Sequence, residues 1–179
     1  TPTKVYFGKD EEQNVGKIIA GFAPKKVLVH FGGQSARKSG LLDRVEKALE
    51  AEGIDYVELG GVTANPELKL VREGIALCQR EGVDFVLAVG GGSVLDSSKD
   101  IANGVANPDI DVWDFSLGKC VPQKTLHKGA ILTLAAAGSE MSNSCVITNT
   151  ETNEKRGYGC SCNRMDFAIE NPELTYTVS

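Results

Sequence analysis

A chain of 179 residues with 19 Lys and Arg against 24 Asp and Glu, a formal charge of −5, lacks the basic surplus of a nucleic-acid surface and suits a small-molecule ligand. Its length allows a core that buries roughly 70% of the unfolded surface without staples. No apolar stretch approaches the roughly 18 residues of a membrane span, and the first residues lack a signal-peptide pattern, so the expected location is the cytoplasm and no membrane partner is expected. Cys78, Cys120, Cys145, Cys160 and Cys162 are an odd, scattered set, which fits reduced thiols better than a disulfide framework. Cys160-Ser-Cys162 has neither the spacing nor the companion ligands of a zinc site.

From about Val27 to about Asn107, apolar runs alternate with amphipathic stretches, the pattern of βαβ units around a parallel sheet. Val27–Phe31 predicts a strand, and Leu41–Glu52 a helix with Leu41, Leu42, Val45, Ala48 and Leu49 on one face. Tyr56–Leu59 is the next strand, followed by a helix over Glu67–Arg80 that buries Leu70, Val71, Ile75 and Leu77 and ends at Gly82. Phe85–Val89 is a third strand, and Val94–Val105 a helix opened by Ser93. Beyond Pro108 the rhythm breaks: Trp113 and Phe115 anchor a loop, and Ile131–Leu134 returns as a buried strand before a turn over Ala135–Gly138. Val146–Thr150 and Gly157–Cys162 predict a hairpin around Glu151–Glu154, and Asp166–Glu170 a last strand.

The run Val86–Lys99, VLAVGGGSVLDSSK, joins a buried strand to a glycine triplet and then to a helix start. Glycines permit a sharp turn with φ > 0 and keep Cβ atoms away from a ligand. Ser93 stands where an N-cap belongs, with Asp96 three residues on, and the free N–H groups and positive dipole end of the helix would face a phosphate. Read without a ligand, the same residues make a capped strand-to-helix turn. The usual dinucleotide fingerprint, G-x-G-x-x-G in the first βα unit, is not present, because the triplet falls in the third unit and Leu95 stands where the third glycine belongs.

Gly90-Gly-Gly-Ser-Val-Leu-Asp-Ser-Ser-Lys99 resembles the GGGS-x-x-D-x-x-K signature of the iron-dependent (group III) alcohol dehydrogenases, nearest their butanol dehydrogenase and NADPH-dependent aldehyde reductase branch. Pro2–Gly8 resembles the family's opening strand, Val27–Gly40 its first cofactor turn, and Leu132–Met141 its T-x-A-x-T-G-S-E segment. The resemblance implies an α/β fold, a mostly parallel Rossmann-like sheet with helices on both faces, similar to the N-terminal domain of dehydroquinate synthase, plus a hairpin near the C-terminus. It implies hydride transfer between NAD(P)H and an alcohol or aldehyde in the intact, homodimeric enzyme.

By the same resemblance, Gly32, Gly33, Gln34 and Ser35 contact the adenosine end, Gly91, Gly92 and Ser93 the pyrophosphate, and Asp96 lies near the ribose and nicotinamide. Thr133, Leu134 and Ser139 line the nicotinamide side, and Lys155 matches a cofactor-contacting lysine. Gln34 stands where relatives have Gly, and Ala137 where they have Thr. In the family a helical domain follows and supplies one Asp and three His to Fe²⁺ or Zn²⁺. Here neither His30 nor His127 matches a ligand position. Residues 1–179 are therefore expected to form a dinucleotide-binding domain without the metal-binding domain, with no catalytic or metal residue of its own.

NADP is the expected cofactor, with NAD possible, because an NAD enzyme places a carboxylate at the adenosine 2′-OH and no acid follows the first turn until Asp43. Ser35, Arg37, Lys38 and Ser39 instead offer hydroxyls and two positive charges. Two other readings stand beside this one: a non-catalytic nucleotide-binding remnant, and a P-loop NTP-binding domain suggested by Gly32–Ser39. The latter has Arg37 in place of the second P-loop glycine.

Overall fold

Val27–Phe31 and Phe85–Gly90 are buried at every position, as strands must be at the centre of a parallel sheet covered on both sides. The computed structural model describes residues 2–133 and 141–171. Its strands are β1 (Lys4–Phe7), β2 (Val27–Phe31), β3 (Tyr56–Leu59), β4 (Phe85–Gly90), β5 (His127–Leu132), β6 (Ser144–Asn149), β7 (Glu154–Gly159) and β8 (Phe167–Glu170). Six of them form one sheet in the order β1-β8-β5-β4-β2-β3, and every pairing in it is parallel. β6 and β7 form a separate antiparallel hairpin.

The helices are α1 (Val15–Ala20), α2 (Ser35–Lys38), α3 (Leu41–Ala51), α4 (Leu68–Glu81), α5 (Gly92–Ala106) and α6 (Trp113–Ser116). Alternation along the strands sends Val27, Val29, Phe85 and Leu87 to one face, where α1 and α3 supply Val15, Ile19, Leu42, Val45 and Leu49. Leu28 and Val86 point to the other, against Val71 and Cys78 of α4, Ile101 of α5, and Cys145 and Ile147 of β6. The fold is thus α/β with helices on both faces of the sheet and a hairpin near the C-terminus, as the sequence predicts.

Several local expectations shift. Helix α5 begins at Gly92, and its N-cap is Gly91, which makes no side-chain cap bond. The amides of Val94 and Leu95 both donate to Gly91 O at 3.1 Å, so Ser93 lies inside the first turn and the Ser93–Asp96 capping box does not form. Within the triplet only Gly90 has positive φ, at 155°; Gly91 is extended. β5 starts earlier than Ile131 and ends at Leu132, while the turn expected over Ala135–Gly138 lies outside the described residues. The hairpin strands also begin earlier than predicted, because Cys145 and Ile147, rather than Val146, are the buried positions. Trp113 and Phe115 sit buried in the one-turn helix α6, and α1 was not anticipated. On α4 the buried positions are Leu68, Val71, Gly74 and Cys78; Leu70, Ile75 and Leu77 are half-buried.

Candidate functional site

The chain leaves β2 towards β3 on one side and, after α4, returns to β4 on the other side of β2. Such a reversal opens a crevice at the carboxyl ends of the two diverging strands, the usual ligand position in an open α/β sheet. The turns after β2 and β4 meet there. A Cβ on Gly32 would lie 3.2 Å from Val62 O and 3.9 Å from Val94 Cγ2, and Gly61 N donates to Gly32 O at 2.7 Å. A Cβ on Gly90 would fall 2.7 Å from Val94 Cγ2, so the strand can pass directly into α5 only without a side chain. The 15 residues of α5 then carry their dipole to this edge. The first amides, at Gly92 and Ser93, have no partner one turn back within the helix and can face an anion.

Ser93 Oγ donates to Ala64 O at 2.9 Å, fastening the β3–α4 connection to the helix start. Beside that connection, Thr63, Asn65, Glu67, Thr148, Thr150 and Lys155 line a polar groove of about 440 Å³. Lys155 Nζ donates to Asn65 Oδ1 at 3.2 Å, and its charge is felt at Asp96. Thr133 N donates to Gly90 O at 3.2 Å. Gly32, Gly91, Gly92, Ser93, Asp96, Thr133 and Lys155 thus gather at one edge of the sheet. Gly33, Gln34, Ser35 and Lys38 are exposed further out along the turn and α2. Leu134 and Ser139 lie outside the described residues.

Asp96 is half-buried, and burial raises its carboxyl to about 6 against the opposing pull of Lys99, the Val146 amide and Lys155. Lys99 is not a surface partner for it. Only 1% of Lys99 is exposed, and its Nζ donates to Ser144 O at 2.9 Å and Ser142 O at 3.3 Å, tying α5 to the start of the hairpin. Next to it, Tyr158 OH donates to Asp100 Oδ1 at 2.7 Å, and Asn103 Nδ2 donates to Tyr158 OH at 2.9 Å and Asn163 Oδ1 at 2.8 Å. Asp100 is fully buried, its Oδ2 has no hydrogen-bond partner among the described residues, and burial raises it to about 7. The sequence pattern missed this support layer; the available signal was six polar residues packed into Asp96–Asn103.

His30 is buried between Leu59 O and Ser97 Oγ, each 2.7 Å from a ring nitrogen. Burial lowers it to about 4, so it is neutral, donates from Nδ1 to the carbonyl and accepts from Ser97 at Nε2. Among the described residues no group of three His, Cys, Asp or Glu side chains could hold a metal ion. The P-loop alternative fails on geometry: Ser35–Lys38 is one helical turn, and Ser39 Oγ donates to Ala36 O at 3.1 Å rather than opening towards a phosphate. One acid also escaped the sequence reading. Glu58 of β3 accepts from Arg37 Nη2 at 2.7 Å, so Arg37 is already paired.

A six-stranded parallel sheet, wound on both faces and open at its switch point, defines a Rossmann-like α/β protein. The family model for iron-containing alcohol dehydrogenase matches residues 2–172, and the chain belongs to that family. It is 46% identical over 177 residues to a probable NADH-dependent butanol dehydrogenase 2 of Bacillus subtilis, covering 99% of this chain and 45% of that protein. It is 37% identical to the NADPH-dependent aldehyde reductase YqhD of Escherichia coli, covering 99% and 46%. The crystal structure of an NADH-dependent butanol dehydrogenase A from Thermotoga maritima superposes with a TM-score of 0.95 at 39% identity, covering 99% of this chain and 44% of that one. The chain therefore spans somewhat under half the length of these relatives.

Proposed function

We propose that this chain binds a nicotinamide dinucleotide across the β2/β4 crevice. In the whole protein it would orient that cofactor for reversible hydride transfer between NAD(P)H and an alcohol or aldehyde. The observation that carries this reading is the start of α5, where a glycine turn delivers the amides of Gly92 and Ser93 to the switch point of a parallel sheet. The pyrophosphate would lie on Gly91, Gly92 and Ser93, and the adenosine over Gly32–Ser35. The nicotinamide would lie towards Asp96 and Thr133, with Lys155 closing the groove. When bound, the cofactor supplies the hydride; the chain's part is to hold and orient it. Iron or zinc would be held by residues other than those described, whose side chains offer no donor set.

For the cofactor's 2′ position we infer a preference for NADP(H). The relatives' names are divided between NADH and NADPH. Glu58, the acid that would repel a phosphate, is engaged by Arg37, and Lys38 stands exposed at the end of α2. Titrating purified protein with NADPH and NADH, followed by cofactor fluorescence, tests both statements. NADPH should bind more tightly, and Lys38→Ala should weaken it about tenfold, the loss of roughly 1.4 kcal/mol of charge-assisted contact, with NADH little changed. Absence of binding by both cofactors would overturn the crevice reading; a wild-type preference for NADH, or equal losses, would overturn the 2′ preference alone.

Two further inferences concern setting and assembly. The five free cysteines suit the reducing cytoplasm, and no described helix is long and apolar enough to cross a membrane. The edge strand β1 exposes Val5 and Phe7, a surface suited to a second copy of the chain in a homodimer.

A further inference from the structure

The unit β2–α2–α3–β3 is the first βαβ crossover of the sheet to close beside the crevice. In dinucleotide folds a carboxylate at the end of the second strand of such a unit accepts the ribose 2′-OH. Glu58, one residue from the end of β3, occupies that place, and its register partner on β2 is Val29. Its carboxylate is closed on two sides. Arg37 Nη2 donates to it at 2.7 Å, and the Glu46 carboxyl, which burial raises to about 8 so that it keeps its proton, shares a hydrogen bond with it. Arg37 is fixed in turn by Phe31, whose ring centroid lies 5.8 Å from the guanidinium carbon, and by Asp43 at 3.7 Å. Yet the pair is not sealed, for the Arg37 and Glu58 side chains are 39% and 34% exposed. Arg37 also lies only two residues beyond Ser35 of the first turn.

We propose that Arg37 and Glu58 form a selector for the 2′ position of the bound dinucleotide: while paired, Glu58 is withheld from a ribose hydroxyl and Arg37 presents its remaining N–H donors to a 2′-phosphate. The proposal rests on the crevice reading above and adds to it the residues that set discrimination. A guanidinium has five N–H donors in a rigid fork, so one bond to Glu58 leaves donors for a phosphate. Opening the pair reverses the preference, since a free carboxylate accepts the 2′-OH and repels a dianion.

The test is the dissociation constant for NADPH and for NADH in the wild-type protein, Glu58→Gln and Arg37→Met. Glu58→Gln removes the competing charge and should tighten NADPH several-fold while leaving NADH little changed, because the paired carboxylate is already withheld from the ribose. Arg37→Met keeps the apolar stem, frees Glu58, and should weaken NADPH at least tenfold while leaving NADH equal or tighter. The NADH-to-NADPH ratio must therefore move in opposite directions in the two variants. Ratios that stay within twofold of wild type, or that move together, overturn the selector, as does loss of both cofactors in a variant that still melts cooperatively. If Arg37→Met does not fold, Arg37→Lys should show the same direction with a smaller shift, because it keeps the charge and loses the fork. A wild-type protein that binds neither dinucleotide overturns the crevice reading and the selector together, whereas binding without opposed shifts overturns the selector alone.

Discussion

Asp100 is the least comfortable residue of the candidate site's support, a fully buried carboxyl with one partnered oxygen and one bare one. An ordinary aspartate titrates near 3.9, and burial raises this one to about 7. Between those values the folded protein holds a proton that the unfolded chain has released. The stability from this group is therefore fully present below about pH 4 and lost as pH rises through 7. His30 acts in the opposite sense: lowered to about 4, it supports the fold above its ordinary 6.5 and loses that support as pH falls towards 4. Asp100→Asn isolates the first effect. Its unfolding free energy, measured by urea denaturation relative to wild type, should improve between pH 4.5 and pH 7.5 by more than about 1 kcal/mol, one proton being worth about 1.4 kcal/mol per pH unit. A difference that does not change with pH would show that Asp100 ionises without cost. None of this was legible in the sequence. DSSKD reads as the wet side of a helix, and only the hairpin folded over α5, bringing Tyr158 and the carbonyls of Ser142 and Ser144 to it, turns that side inward.

At the scale of elements, the chain announces its long helices α3, α4 and α5 and its central strands well, and its short helices and junctions poorly. Phe85–Val89 and Leu41–Glu52 are legible because burial on one or both faces forces apolar periodicity. The start of α5 misleads, because Ser93 is a good N-cap residue followed by an acid at the capping-box distance. Backbone geometry decides instead. Gly91 stays extended and accepts two amides, and Ser93 gains a better partner in Ala64 O than its own helix offers. The two turns of the crevice hold glycines that look alike in sequence but differ in their surroundings. Gly90→Ala places a side chain at φ 155° and 2.7 Å from Val94, whereas Gly33 has open space around its missing Cβ. Gly90→Ala should therefore cost roughly 1–3 kcal/mol, as overpacking does, and weaken dinucleotide binding. Gly33→Ala should melt within a degree or two of wild type, about what a neutral surface substitution gives. Thermal unfolding of the two variants side by side checks this, and equal losses would mean that Gly90 is not the pivot of the turn.

For the whole molecule, the βαβ rhythm establishes a parallel sheet, but nothing in it states that β3 lies outside β2 and β4 on its other side, and the crevice depends on that order. Nor does it show how the ends of the sheet are closed. On one face, Glu12 of the turn before α1 accepts from Asn171 Nδ2 at 2.9 Å and lies 3.4 Å from Arg44 of α3, locking β8 to the first segments. Among the described residues β1 hydrogen-bonds only to β8 within the sheet and nothing pairs with its outer side, and while Tyr6 packs edge-on against Phe167, Val5 and Phe7 on its other face are 41% and 70% exposed. An edge strand with free N–H and C=O groups and two apolar side chains invites another strand. A twofold axis beside it would pair β1 with β1 antiparallel, each copy offering the same residues to the other, the closed arrangement most homodimers adopt. The chain should therefore sediment as a dimer that dissociates on dilution. Val5→Lys with Phe7→Lys should leave a monomer that melts within a few degrees of the dilute wild-type protein, since lysines on an edge block strand addition while leaving the β8 pairing intact. A wild-type chain that sediments as a monomer at every accessible concentration, or a double variant that remains dimeric, would place the contact between copies elsewhere.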